Sequence, residues 1–275
     1  MRVFLMSLCL LGVGLASAAR AVDLPPQFVN GQTGSFSQGG LVVLALTEGT
    51  QLELNGVPLP TVDNQTVFGF GRDAALQQTL RFTRKNATRT LTLKLKKRDY
   101  DIQRIDGLPP AMVTPPEDAL PRIIAQGKLK RAARAIDSRR SDFAQDFAWP
   151  VKGRISGVFG SQRFYNGEPR RPHFGIDIAA PRGTKVRAPA PGKVTLAEPD
   201  MYFEGGLIFI DHGLQLTSAY MHLDRLAVKV GDEVEAGEVI ATVGSTGRST
   251  GPHLDWRMFW RNQRIDPALV AADTP

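Results

Sequence analysis

Apolar and polar residues alternate with period two through residues 41–105. Short runs at 41–46, 51–54, 66–70, 79–82 and 90–95 carry the alternation, as in Leu91, Leu93 and Leu95 against Thr92 and Lys94. Gly, Asn, Asp and Pro separate the runs, a pattern that predicts short antiparallel strands in a small β-sandwich. The period changes near Pro121. Leu129, Ala132, Ala133, Ile136, Phe143 and Phe147 recur at helical spacing, predicting one helix over 121–147. Its outer face is basic, with Arg122, Lys128, Lys130, Arg131, Arg134, Arg139 and Arg140. From Trp149 the short alternating runs return, at 186–188, 192–196, 206–210, 216–220, 226–230 and 239–243, with turns at Pro181-Arg182-Gly183, Pro191-Gly192 and Gly231-Asp232. No further helix is predicted. The expected fold class is therefore mainly β. A small β domain (24–112) is followed by a proline-rich linker with the basic helix (113–147), then an all-β domain (148–275).

Composition narrows the possible functions. Of 275 residues, 42% are hydrophobic and 22% charged, as in ordinary globular chains, which excludes a disordered or coiled-coil protein. A single cysteine, Cys9, excludes a disulfide framework and any cysteine-rich metal site. The net charge of +7 is uneven: residues 1–146 hold nineteen basic against thirteen acidic residues, residues 147–275 fifteen against fourteen. A nucleic-acid enzyme concentrates positive charge around its site. Here the half that carries every histidine is nearly neutral, so nucleic acid is not an expected partner. The basic helix suits either a solvated face or contact with anionic lipid or wall polymers.

The first 21 residues have the order of a secretory signal. Arg2 is followed by an apolar run over 3–15 and by Ala16-Ser17-Ala18, a small-residue cleavage pattern. A run of this length is short for a bilayer span. The expected mature chain is then cysteine-free, has no transmembrane segment, and is periplasmic or secreted.

Acid–base or metal chemistry is confined to three segments. His173-Phe174-Gly175-Ile176-Asp177 is an H-x-x-x-D. In a straight strand its ends lie about 13 Å apart, too far to share one metal without a bend, which Gly175 between them permits. The second segment is Tyr220-Met221-His222-Leu223. The third is Gly251-Pro252-His253-Leu254-Asp255-Trp256, which puts His253 and Asp255 on one strand face. The remaining histidine, His212, opens a turn in Asp211-His212-Gly213 and is expected to be structural. Arg163 suits either a substrate carboxylate or a structural contact.

In order, these segments resemble the LytM/lysostaphin-type zinc metallopeptidases of bacterial cell walls, over about 149–269. The resemblance implies a duplicated-hybrid-motif, barrel-sandwich-like domain with zinc as cofactor and peptidoglycan as substrate. It implies zinc ligation by His173 and Asp177, and catalytic roles for His222 and His253. The upstream stretch Gln103-Arg104-Ile105-Asp106-Gly107-Leu108-Pro109 also resembles periplasmic members. The third ligand position of the family is histidine; here it is Asp255.

Carboxylate oxygen is an acceptable zinc ligand, so His173, Asp177 and Asp255 form the expected metal set. Two carboxylates neutralise a dication that one carboxylate leaves at +1, so the ion should acidify water less. The expected function is zinc-dependent hydrolysis of peptide crosslinks in peptidoglycan. The alternative is a catalytically impaired relative acting as a binding module or as an activator of a cell-wall amidase; a cell-wall amidase or a synthesis complex is the expected protein partner.

Overall fold

The computed structural model describes residues 24–106 and 114–272. The expected signal segment 1–21 and linker residues 107–113 lie outside the described residues. The described residues form twenty strands and one α-helix, so the fold is mainly β.

Seven strands come first: β1 (Val29–Gly34), β2 (Leu41–Leu46), β3 (Gln51–Leu54), β4 (Val57–Leu59), β5 (Gln65–Gly69), β6 (Gln77–Arg84) and β7 (Ala87–Lys94). They make two antiparallel sheets, ordered β1-β2-β5 and β4-β3-β6-β7. The alternation fixes which faces meet. Leu44, Leu52, Phe68, Leu80 and Phe82 are buried, while Glu53, Arg81 and Thr83 stay on outer faces. Asn55-Gly56 closes the β3–β4 hairpin with both residues at positive φ (52° and 78°), the backbone twist that two-residue hairpins favour.

The next strand, β8 (Ile102–Ile105), leaves these sheets. It pairs in parallel with β10 (Gln162–Tyr165) of the later half. Further ties join the halves: Arg98 pairs with Asp266 at 2.8 Å, and Arg72 Nε donates to the Gly160 carbonyl at 2.7 Å.

The helix is shorter than its hydrophobic spacing predicts. α1 spans Leu120–Arg134, not 121–147, and Ala133 is its one buried residue. Leu129 and Ile136, expected on the buried face, are 49% and 43% exposed. The backbone beyond α1 has other partners. Ser138 C=O accepts from Leu214 N–H, and Phe143 N–H donates to His212 C=O. Groups bonded to that turn are not available to an i→i+4 ladder. Phe143 and Phe147 are buried as expected, but from the segment after the helix.

The later half adds β9 (Arg154–Gly157), β10 with β11 (Glu168–Pro169), β12 (Ile176–Ala179), β13 (Lys185–Arg187), β14 (Gly192–Met201), β15 (Gly205–Asp211), β16 (Leu216–Leu226), β17 (Glu233–Val234), β18 (Val239–Val243), β19 (His253–Trp260) and β20 (Gln263–Ile265). The main sheet runs β17-β14-β15-β16-β19-β12-β9. A β13–β18 pair joins it through β16, and β20 joins through β19. Every residue of β15 is buried. Leu207 and Phe209 face α1 in a small apolar cluster with Ala133, Leu196, Met201, Ala219, Met221 and Phe259, while Ile208 and Ile210 belong to the main core. Ala133 is the one residue that α1 contributes to this cluster, and the Arg134 guanidinium lies over the Phe209 ring, 5.7 Å from its centroid. Ala219, Met221 and Phe259 therefore lie on the face of the sheet that also carries Asp255 and Arg257.

Candidate metal centre

The structure brings together five of the predicted residues, His173, Asp177, His222, His253 and Asp255. β12 and β19 pair antiparallel, and Asp177 stands directly opposite Asp255. His173 precedes β12, and the chain bends at Gly175, as the H-x-x-x-D spacing demands. The bend replaces about 13 Å of straight strand with 3.1 Å between His173 Nε2 and Asp177 Oδ1.

Gly175 is needed for space. A Cβ there would lie 2.4 Å from Asp255 Oδ1 and 2.6 Å from Arg257 Cγ. His173 and Asp255 are almost fully buried and Asp177 nearly so, and one ligand atom from each lies within 4.8 Å of the others. His173 Nε2 and Asp177 Oδ1 are buried with no hydrogen-bond partner, although they are close to each other. Buried polar atoms are rarely left so. A shared cation satisfies both at once, and the His/Asp/Asp donor set suits zinc.

Arginines hold the outer sides of both carboxylates. Arg163 Nη2 donates to Asp177 Oδ2 at 3.0 Å, and Arg163 Nε to Gln103 Oε1 at 3.1 Å. Arg163 thus serves a carboxylate of the protein itself, and Gln103 of β8 steadies it. Arg257 Nε and Nη2 reach Asp255 Oδ1 at 2.9 Å and Oδ2 at 2.5 Å. Burial and Asp255 push the Asp177 carboxyl up, but His173 and Arg163 outweigh them and hold it below the usual range. Burial likewise raises the Asp255 carboxyl, and Arg257, foremost among its neighbours, holds it well below. Both are carboxylates at neutral pH.

His222 and His253 form the opposite wall, with ring centroids 4.8 Å apart. His222 interrupts β16 at a bulge opposite β15 and has φ 62°, which is rare for a side-chain-bearing residue. Three contacts hold it there: its N–H donates to Glu204 C=O (2.8 Å), its Nδ1 lies 2.9 Å from Thr246 C=O, and Thr246 Oγ1 donates to Leu223 C=O. A carbonyl can only accept, so Nδ1 of His222 carries the hydrogen and Nε2 holds a lone pair. His253 is set in the same way, with Nδ1 2.8 Å from Gly251 C=O and Nε2 3.8 Å from Asp177 Oδ1. Burial, more than any other influence, lowers the His222 imidazole below its ordinary value, so it is neutral at pH 7.

α1 reaches this wall indirectly. Lys130 pairs with Glu204, Gln126 Oε1 accepts from Tyr202 N–H, and Arg122 pairs with Asp200 at 2.8 Å. These contacts fasten the turn whose Glu204 carbonyl anchors His222. Hence two residues of the basic helix face, Arg122 and Lys130, are bound at the β14–β15 turn.

His212 is apart from this site. It is buried, with Nδ1 2.7 Å from Pro191 C=O and Nε2 2.8 Å from Ser218 Oγ, the structural role its turn position predicts. Arg257 is the member of the site that hydrophobic patterning alone does not reveal. A lone arginine in a strand reads as surface; its one signal is the i, i+2 relation to Asp255.

Comparison with known proteins places the site in context. The model of peptidase family M23 matches residues 171–267. The DD-carboxypeptidase/endopeptidase Mpg of Neisseria meningitidis serogroup B is 42% identical over 125 residues, 46% of this chain and 29% of that protein. The peptidoglycan DD-endopeptidase ShyB of Vibrio cholerae is 39% identical over 104 residues, 38% of this chain and 24% of that protein. The chain thus spans less than a third of the length of either relative. A crystal structure of a putative peptidase M23 from Pseudomonas aeruginosa superposes with a TM-score of 0.63 at 27% identity, covering 86% of this chain and 96% of that one.

Proposed function

From the premise that residues 171–267 form a peptidase family M23 domain of the LytM type, we propose that this chain is a zinc-dependent endopeptidase. Its substrate is the peptide crosslinks of peptidoglycan, in the periplasm or outside the cell. One observation carries the reading: two buried ligand atoms without hydrogen-bond partners, His173 Nε2 and Asp177 Oδ1, face two histidines whose Nε2 atoms hold lone pairs. The domain boundaries at 24–112, 113–147 and 148–275 belong to the same proposal, as does removal of residues 1–21.

His173, Asp177 and Asp255 would hold the ion. Zinc in such a set acidifies water and polarises a scissile carbonyl. Arg163 keeps Asp177 ionised and oriented. One of His222 and His253 accepts the proton of the attacking water at Nε2, and the other, once protonated to the imidazolium, donates from Nε2 to the leaving amine or to the oxyanion. Burial keeps His222 neutral, as proton acceptance requires. No described helix is long and apolar enough to cross a membrane.

Digestion of purified peptidoglycan by the full mature chain, with and without zinc, tests the reading. The expected result is release of crosslinked muropeptides as monomers with new amino termini, abolished by chelation. One observation favours a second reading: Arg257 occupies the Asp255 carboxylate from its outer side. If this ended zinc binding, the chain would act as a binding module or an amidase activator. It would then release nothing alone, stimulate a purified amidase, and function in cells with His222 and His253 both changed to alanine.

A further inference from the structure

Asp255 and Arg257 are two residues apart on β19 and project from the same face. Their contact is side-on and two-pronged: Nε to Oδ1 at 2.9 Å and Nη2 to Oδ2 at 2.5 Å. A fork of this kind uses one lone pair on each carboxylate oxygen and leaves the second free. The pair is built into the fold. Gly175 makes room for both members, since a Cβ there would meet Asp255 Oδ1 and Arg257 Cγ. Asp255 itself is 2% exposed, so solvent does not offset its charge.

Resting on the zinc reading above, we propose that Arg257 is a charge-compensating positioning residue: with Asp255 it forms a neutral oxygen-donor unit at the third ligand position. Asp177 and Asp255 alone would cancel the charge of a dication. Arg257 cancels the Asp255 carboxylate, so the third ligand position carries no net charge, as an imidazole there would carry none, and the ion retains more of its power to acidify water. The fork also fixes the carboxylate plane, so a donor shorter than histidine presents a defined lone pair. The cost is affinity, because a cation beside the ion opposes its binding.

The sign of that cost makes the proposal testable. In Arg257→Gln the carboxylate is freed and the repulsion removed. Zinc dissociation constants, measured by chelator competition on the full mature chain, should fall about tenfold or more. Turnover of the zinc-saturated variant should fall about tenfold, and Arg257→Lys, which keeps the charge, should recover much of it. A purely structural arginine predicts weaker zinc binding on removal, and equal or weaker binding overturns the proposal. An arginine that merely keeps Asp255 from the ion predicts tighter zinc with undiminished or higher turnover, which also overturns it.

If Arg257→Gln fails to fold, Asp255→His alone and Asp255→His with Arg257→Gln decide. The single change leaves an unpaired cation beside the ion and should bind zinc about tenfold more weakly than the double change. Equal affinities overturn the proposal. The zinc reading fails separately: if neither the wild type nor Arg257→Gln takes up zinc at micromolar levels, both fall. If only Arg257→Gln does, the blocking role replaces the compensating one.

Discussion

Asp177 and Asp255 face each other directly across the pairing of β12 and β19, two carboxylates at one rung of a sheet. Like charges at opposed positions destabilise a sheet. They are kept here by Arg163 on one, Arg257 on the other, and His173 3.1 Å from Asp177. A dication would relieve the remaining repulsion. Zinc should therefore raise the melting temperature, by the equivalent of about 2.7 kcal/mol at a concentration one hundred times its dissociation constant. His173→Ala and Asp177→Ala should lose this gain together with activity. A zinc-induced shift surviving in either would remove that residue from the metal set.

His222 and His253 should behave in the opposite way. Their Nδ1 atoms are committed to the Thr246 and Gly251 carbonyls, and the proposed metal set includes neither ring. Each change to alanine should keep the zinc-dependent melting shift and reduce turnover about 100- to 10,000-fold, the usual range for proton transfer. Turnover within a factor of ten of wild type, at full zinc occupancy, would deny that residue a catalytic role.

Gly175→Ala tests the close approach at the bend. The added methyl would lie 2.4 Å from Asp255 Oδ1 and 2.7 Å from the Trp256 carbonyl, and backbone cannot swing aside. The chain should be destabilised by about 1–3 kcal/mol in urea unfolding, and zinc affinity should drop because β12 and β19 are forced apart. Wild-type stability and affinity together would show that the strands yield freely.

Much of this site was legible in the amino-acid order. The bend at Gly175 was expected once His173 and Asp177 were read as sharing a metal, because a straight strand holds them too far apart and glycine permits a bend. The strand pairing that sets Asp177 opposite Asp255 was not, since cross-strand register depends on tertiary contacts. The helix was overextended for a related reason. Phe143 and Phe147 keep helical spacing, yet Ser138 and Phe143 bond to the 212–214 turn, and a local pattern carries no trace of that partner. Nothing in the alternation marks Arg257, because its contact with Asp255 is made by side chains two residues apart on one strand.

The docked helix gives an expectation at a distance. Lys130 pairs with Glu204, whose carbonyl accepts from the His222 N–H at the strained bulge. Lys130→Met should loosen that turn, lowering turnover about tenfold, the scale of a small misplacement of a catalytic group. Zinc affinity should change little, because the proposed ligands His173, Asp177 and Asp255 are not bonded to that turn. A fall in zinc binding equal to the fall in turnover would mean that the helix supports the domain as a whole.

The last expectation concerns His212. A carbonyl accepts from its Nδ1, so Nε2 must accept from Ser218, whose oxygen in turn accepts from the Tyr220 hydroxyl 2.7 Å away. All three side chains are buried, and the chain of bonds has one consistent direction with the ring neutral. Burial drives the imidazole down to about 4, against the partly offsetting Pro191 carbonyl and Asp142. In the unfolded chain it titrates near 6.5. Between these values the unfolded state holds a proton that the folded state refuses, so stability is full above pH 6.5 and is lost as pH falls toward 4. The loss from this one group is about 3 kcal/mol over that window. His222 is shifted in the same direction, so the total slope is not the measure. The measure is the difference between wild type and His212→Gln in urea unfolding at pH 7.5 and pH 5.0. The variant should be less stable than wild type at pH 7.5 by about 1–3 kcal/mol, through its broken hydrogen bonds, and the gap should narrow at pH 5.0. A gap that stays constant with pH would show that His212 takes up its proton in the folded state as readily as in the unfolded one.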